Sequence, residues 1–420
     1  MKKTNLLINL IIVACFGILF TNQSYAQMYV GHKQITFTDP ARSDRSIPCD
    51  VYYPTGTAPA SGSTTTEDAS FSAGQFPLIV FGHGFVMGDP NLYYYLPDTL
   101  AKLGYIFVFP TTENTGPLPA PSHIDFGLDL AFLNNQIKSE NTVSTSFFYQ
   151  KIGTTSAIMG HSMGGKASIL AAANNTNITT VVTLGAAMSN PPVGDGVDAF
   201  GEYAPYITVP AVIFDAEFDC VVPVEEGHKL IYDTLTNACK TYVNILGGGH
   251  CFFASQAGSG LVACETGEGN CSGSFTITRE AQNATVLQFV IPYLKYKLKG
   301  DAASWIIFNG LLNASSTVTF EQSCPTTEVE NNEFISSSNN FTLYPNPAEN
   351  QFNISFNNNQ FNEFEVVIIN SMGQIVRKFN ETKSSKNFNK KYNINDLSNG
   401  FYYVSINANG INQATLKLIK

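Results

Sequence analysis

A serine set between glycines, Gly160-His161-Ser162-Met163-Gly164-Gly165, is the stretch of this 420-residue chain best suited to chemistry. Ser156-Ala157-Ile158-Met159 before it reads as a buried strand, and Lys166-Ala167-Ser168-Ile169-Leu170-Ala171-Ala172-Ala173 after it reads as a helix. Glycines two places either side of a serine let a strand turn into a helix so sharply that Oγ stands clear of the backbone, which is a nucleophile elbow. The pentapeptide alone is weak, because G-x-S-x-G occurs by chance in about one chain in seven of this length. Its weight depends on an acid and a histidine following it in that order.

Six histidines compete for the role of base. His32 is expected to precede the sheet, His83 and His161 belong to glycine motifs, and His123 comes before the serine. His228 shares a helical run with Glu225 and Glu226 and is expected on a solvated face. His250 remains, behind Gly247-Gly248-Gly249 at the end of a strand from Tyr242 to Leu246, where a flexible turn can bring an imidazole over Ser162. Two acids, Asp215 and Asp219, follow the strand Ala211 to Phe214. Asp215 is so near the strand that it suits capping it or bracing the loop. Asp219, ahead of Cys220-Val221-Val222-Pro223-Val224, reaches further over the sheet edge and is favoured for holding Nδ1–H of His250. Asp195 and Asp198 lie in a Gly/Pro loop expected at the surface.

A tetrahedral intermediate needs donors for its oxyanion. The first is the N–H of Met163, at a helix N-terminus, and the second is the N–H of Phe85, in Gly82-His83-Gly84-Phe85-Val86-Met87-Gly88. His83 is expected to be structural. Such a set performs acyl transfer through a serine acyl-enzyme and requires no cofactor. No metal is expected either, since the cysteines lack paired CxxC or His spacing.

These groups need a scaffold that gathers loop ends. Pro77 to Phe81 is too apolar for a half-wet strand and reads as a central strand of a parallel sheet. Further strands are expected at 29–37, 47–53, 105–109, 156–159, 179–184, 211–214 and 242–246, with helical runs at 92–103, 124–138 and 280–299, the last taken as the end of the body. Strands alternating with helices predict an α/β fold with a doubly wound, mostly parallel sheet, whose ligands bind beyond the carboxyl ends of the strands. The interval from Ser162 to Asp219 is too short for a large cap domain, so an open cleft is expected, suited to bulky or polymeric esters.

Lys2 and Lys3, an apolar run from Leu6 to Phe20, and Ser24-Tyr25-Ala26 read as a signal peptide over residues 1–26. The body, 27–325, carries 13 Lys+Arg against 25 Asp+Glu, a surplus of acid that repels phosphate backbones, so nucleic acid is not expected as a partner. Export would let cysteines pair, and the odd number after residue 26 (Cys49, Cys220, Cys239, Cys251, Cys264, Cys271, Cys324) leaves at least one free. A Ser/Asn/Thr/Glu linker over 326–340 precedes an Asn-rich tail, 341–420, whose strand runs and turns suggest a small all-β sandwich.

The tail closely resembles the C-terminal sorting domain of the type IX secretion system of Bacteroidetes. Four blocks in order carry the resemblance: Leu343-Tyr344-Pro345-Asn346-Pro347, Asn370-Ser371-Met372-Gly373-Gln374-Ile375-Val376, Leu397-Ser398-Asn399-Gly400-Phe401-Tyr402 and Lys417-Leu418-Ile419-Lys420. It implies the type IX machinery as a partner, passage to the cell surface or medium, and often removal of the tail at the linker.

The body resembles bacterial cutinases and polyester (PET) hydrolases of the dienelactone hydrolase and lipase-like group. The matching features are Phe76 to Phe85, the elbow, Asp219 with Val222-Pro223-Val224, and His250-Cys251-Phe252. The resemblance implies an α/β-hydrolase fold and a secreted carboxylic ester hydrolase, cutinase-like and active on aliphatic or aromatic polyesters. It carries over Ser162 as nucleophile, His250 as base, Asp219 as orienting acid, and Phe85 and Met163 as oxyanion donors whose side chains line the cleft with Ala186. Where many polyester hydrolases present a tryptophan, this chain has Gly185-Ala186-Ala187, and Trp305 falls too late to replace it. Since Cys220 and Cys251 each follow a triad member, they are expected to pair, as are Cys264 and Cys271 around a short loop. A monomer is expected. Other readings are a lipase or short-chain esterase without polymer activity, a serine peptidase or amidase on the same fold, and an inactive surface adhesin.

Overall fold

A computed structural model of the chain describes residues 27–115, 120–173, 175–188, 198–222, 224–255, 259–269, 275–323, 341–357, 361–370, 375–408 and 411–420. The expected signal peptide and linker, together with Asp195, Pro223, Cys271 and Cys324, lie outside the described residues.

The body opens with β1 (Tyr29–Asp39), β2 (Arg45–Thr55) and a short β3 (Thr66–Glu67). His32, expected ahead of the sheet, lies within β1 and bonds Asp50 and Glu67. There follow β4 (Phe76–Gly82), α1 (Tyr95–Lys102), β5 (Ile106–Pro110), α2 (His123–Glu140), β6 (Ile152–His161), α3 (Met163–Ala172), β7 (Thr180–Leu184) and α4 (Ala199–Glu202). The body closes with β8 (Ala211–Ala216), α5 (His228–Thr234), β9 (Lys240–Ile245), α6 (Ser259–Glu268), α7 (Arg279–Lys299), α8 (Ala302–Ala314) and β10 (Val318–Ser323). These strands form one ten-stranded sheet in the order β10-β9-β8-β7-β6-β4-β5-β2-β1-β3. Pairing is parallel from β5 through β4, β6, β7 and β8 to β9, and antiparallel between β5 and β2, β2 and β1, and β9 and β10.

The two-residue period of a strand decides how this sheet is covered. On β4, Ile79 and Phe81 enter one apolar cluster with Leu96 and Leu100 of α1 and Phe289 of α7. Leu78 and Val80 enter the other, with Leu130 and Leu133 of α2 and Ala167 of α3. Both faces are therefore dry, as a near-continuous apolar strand requires. The expectation that the body ends at α7 is corrected by α8 and β10. Asp301 caps α8 by accepting the Ala303 N–H at 3.1 Å, and the helix buries Ile307, Phe308, Leu311 and Leu312. Trp305 stacks on Tyr296 and Phe308, so it belongs to the α7/α8 surface rather than to an ester cleft.

The tail comprises β11 (Thr342–Tyr344), β12 (Gln351–Asn357), β13 (Glu363–Asn370), β14 (Ile375–Thr382), β15 (Asn387–Asn393), β16 (Phe401–Ala408) and β17 (Ile411–Ile419). They form antiparallel sheets β11-β12-β15 and β14-β13-β16-β17 around a common core of Phe352, Ile354, Val366, Ile368, Val404 and Ile406. Residues of the opposite face of the second sheet, Val367, Ile369 and Tyr403, join the same buried cluster as Phe308 and Leu312 of α8.

Candidate active site

Four loop ends converge beyond the carboxyl termini of β4, β6, β8 and β9. At the end of β6 the chain passes into α3 through Ser162, which holds φ +53° and ψ −117°, a conformation that a side chain rarely adopts without a reason. The turn is that tight because α3 starts against the loop after β4. A Cβ on Gly164 would lie 2.0 Å from the Gly82 carbonyl oxygen, and the Gly164 N–H donates to His83 O at 2.9 Å. Ser162 is fastened to the neighbouring strand at both ends: its N–H donates to Leu184 O at 3.0 Å, and its carbonyl accepts from Ala187 N–H at 2.8 Å.

Between those two anchors lies Gly185, and the imidazole of His250 sits directly over it. A Cβ at Gly185 would come within 3.2 Å of His250 Nδ1 and 3.0 Å of the Phe253 ring. Gly185, the first residue of the segment where a tryptophan was expected, is thus the seat of the loop that carries His250. Nδ1 of His250 faces Asp219 Oδ2 at 2.6 Å. The carboxylate can only accept, so Nδ1 carries the proton and Nε2 keeps the lone pair. Asp219 Oδ1 accepts the Val222 N–H at 2.9 Å. Burial alone would raise the Asp219 carboxyl, but the facing His250 and His228 outweigh it and hold it well below the ordinary carboxylate range.

The acid and base loops are laced together, Phe218 N–H to Gly248 O at 3.0 Å and Gly247 N–H to Glu217 Oε2 at 2.7 Å. From behind, Gln282 of α7 takes both backbone groups of Gly249, at 3.0 and 2.8 Å. Glu268 of α6 takes the Cys251 N–H at 2.9 Å, and Arg279 donates to the Cys251 and Ala254 carbonyls.

Of the two expected oxyanion donors, Met163 is the first residue of α3, whose opening amides have no intrahelical acceptor. Phe85 is half-buried in the turn that Met87 N–H closes onto Gly84 O at 3.0 Å. One hydroxyl ties this turn to the rest of the site. Tyr93 Oη accepts the Gly84 N–H at 3.0 Å and lies 2.7 Å from His161 Nδ1, while His161 Nε2 lies 3.1 Å from the His250 carbonyl. That carbonyl fixes the tautomer: Nε2 of His161 donates, and Nδ1 accepts from Tyr93. Burial, helped by the neighbouring His250, keeps His161 neutral, well below the ordinary histidine value. His83 is buried, its ring against the Gly84 and Thr112 carbonyls, as a structural histidine would be.

Asp219 and His250 therefore meet, Met163 follows Ser162 at the start of α3, and the turn of Phe85 is tied through Tyr93 to the histidine that precedes Ser162. Neither Ala186 nor the Met163 side chain lines the cleft as expected: Met163 is buried in the apolar cluster that also holds Ala167 and Ala186, and Ala186 is fully buried against Gly165, whose Cβ would lie 2.9 Å from Ala186 Cβ, so neither side chain offers a substrate a surface. The cysteine pairings are corrected. Cys251 bonds Cys264, across a Cα–Cα distance of 5.9 Å, because α6 rather than the Asp219 loop covers the base loop. Cys220 and Cys239 are disulfide-bonded too, and Cys49 is a buried free thiol. His228 is corrected as well, being fully buried rather than solvated. Its spacing carried the signal: His228, Ile231 and Tyr232 are the buried face of α5, at the i, i+3, i+4 period of an inward stripe. Asp215, the other candidate acid, is braced between strands, accepting the Ala216 N–H at 2.7 Å and the Tyr242 hydroxyl at 2.5 Å.

A serine at a strand-to-helix elbow, with an Asp–His pair delivered by later loops of a doubly wound sheet, defines the α/β-hydrolase class. Residues 48–265, just over half of the chain, match the PET hydrolase-like family, and the chain belongs to that family. Residues 342–420 match the secretion system C-terminal sorting domain, which directs the protein to the extracellular space or cell surface and to the type IX machinery. No curated protein matches the chain.

Proposed function

We propose that this protein is a secreted serine carboxylic ester hydrolase that acts through an acyl-enzyme on Ser162, with polyesters among its substrates. The observation that carries the reading is the 2.6 Å contact between Asp219 and the proton-bearing Nδ1 of His250, set over the residues that anchor Ser162. Ser162 Oγ attacks the ester carbonyl while His250 Nε2 takes its proton. The oxyanion is met by the N–H groups of Met163 and Phe85. Collapse expels the alcohol, which takes the proton from His250. Water then loses a proton to the same nitrogen and attacks the acyl-enzyme, and collapse releases the acid while Ser162 Oγ leaves and takes that proton back. Polyester cleavage is supported by the family match and by the short Ser162-to-Asp219 interval, although the base loop stands where an aromatic clamp would be.

A chain-length series of nitrophenyl esters and a polyester film, with an aminoacyl anilide as control, tests the proposal. The wild type is expected to cleave the esters faster than the anilide and to release acid from the film. Ser162→Ala should lose about 10⁴-fold or more in kcat. A Ser162→Ala variant that keeps the wild-type rate would sink the serine mechanism, and an intact film would remove polyesters.

A further inference from the structure

The turn after β4 holds a residue in a conformation that acyl transfer alone does not explain. Val86 has φ +52°, a left-handed backbone that a β-branched side chain rarely enters. Met87 N–H closes onto Gly84 O, and Phe85 keeps a negative φ, so Gly84 to Met87 follow the pattern of a type II turn. Glycine or asparagine usually stands where this chain has Val86. Such a residue stays left-handed only where its surroundings over-determine it. Two side chains do so here. Tyr93 Oη accepts the Gly84 N–H at one end and Asn114 Oδ1 accepts the Gly88 N–H at the other, each at 3.0 Å. Asn114 comes so close that a Cβ on Gly88 would lie 2.5 Å from its Cγ.

Asn114 is itself held from behind. It follows β5, next to Glu113, which is left-handed too at φ +58°. The Glu113 carboxylate accepts the Ser122 N–H at 2.6 Å and pairs with Arg45, at the start of β2, at 2.6 Å. Arg45 also bonds the buried Asp129, which takes the Thr112 hydroxyl at 2.6 Å. The Thr112 carbonyl in turn faces Nε2 of His83 at 2.8 Å. Among the described residues nothing accepts the Phe85 N–H, so the turn presents it open.

We propose that Asn114 is the latch of the oxyanion turn, a positioning residue that acts through Gly88. It keeps Val86 left-handed and so fixes the direction of the Phe85–Val86 peptide beside the Phe85 N–H. This rests on the serine-hydrolase reading above and deepens it. With the latch gone, Val86 relaxes to negative φ and the turn to type I, which turns that peptide over, so that its carbonyl and N–H exchange sides. A peptide dipole then reverses next to the place where negative charge develops. The loss falls on the transition state rather than on substrate binding.

Hydrogen–deuterium exchange of the mature chain, read on the segment 82–91, tests the latch without any ester. Asn114→Ala is expected to expose about one more amide, that of Gly88, to fast exchange. Asn114→Asp keeps an acceptor oxygen and should restore the protection. Gly88→Ala, whose methyl evicts the Asn114 side chain, should match Asn114→Ala although Asn114 is still present. Wild-type exchange in both Asn114→Ala and Gly88→Ala overturns the proposal.

Nitrophenyl ester kinetics test the consequence. Asn114→Ala should lower kcat about 10-fold, short of the ~10²–10³-fold lost with an oxyanion donor itself, and leave KM within about twofold. Adding Val86→Gly removes the branched side chain that drives the turn out of shape and should return most of that kcat. A change in KM in place of kcat, or no recovery with Val86→Gly, overturns the oxyanion role, because the loss of a side chain that merely fills space is not relieved at Val86. If the wild type cleaves no ester, the serine-hydrolase reading falls, while the exchange result still decides the latch.

Discussion

The Tyr93 hydroxyl serves two buried polar groups on different loops, Gly84 N–H beside the oxyanion turn and Nδ1 of the histidine that precedes Ser162. Tyr93→Phe keeps the ring and strands both groups, at about 1–3 kcal/mol each. Its urea midpoint should fall accordingly, and kcat should fall more than KM rises, because the turn carrying Phe85 loses an anchor. Unchanged stability would show that these contacts bear no load. Ser162, Asp219 and His250 could be proposed from the sequence because such chemistry demands a serine, an acid and a histidine in a fixed chain order at strand ends. The burial of His228 could not, since it depends on which face of a short helix turns inward. Glu225 and Glu226 beside it suggested water, whereas Ile231 and Tyr232 show where the helix faces.

Among the elements, the loop that carries His250 is tied at several points. It is sandwiched between α6 and α7 by Glu268, Gln282 and Arg279 and stapled by Cys251–Cys264, residues 13 apart in sequence. Replacing both cysteines by serine should remove about 3 kcal/mol, the amount expected for a loop of this length. Because the bond holds the residue after His250, esterase activity in the double variant should be lost at a lower temperature than global unfolding, whereas the two should coincide in the wild type. Parallel loss of activity and fold in both proteins would place the bond's effect elsewhere. The central strands were legible from their apolar runs, since β4 is dry on both faces. The disulfide was not, because pairing depends on where α6 docks, and neighbours of two residues that meet need not meet themselves. The helix α8 was overlooked because its apolar run, interrupted by Asn309-Gly310, gives no polar face to mark a period.

At the scale of the molecule, the sorting domain covers a face of α8 with Val367, Ile369 and Tyr403. Ser162, Asp219 and His250 lie at the strand ends, outside that contact. A chain ending at residue 325 should therefore keep kcat/KM within about twofold, lose a few degrees of Tm, and bind more of a hydrophobic dye through the uncovered helix face. A tenfold loss of kcat/KM would mean that the tail supports the site. The staple beside His250 also sets when the enzyme becomes ready. Before export, where thiols stay reduced, that loop is held by hydrogen bonds alone; the covalent tie forms only in an oxidising compartment. Fastening of the loop that carries His250 thereby coincides with export, a timing written into the position of two sulfurs.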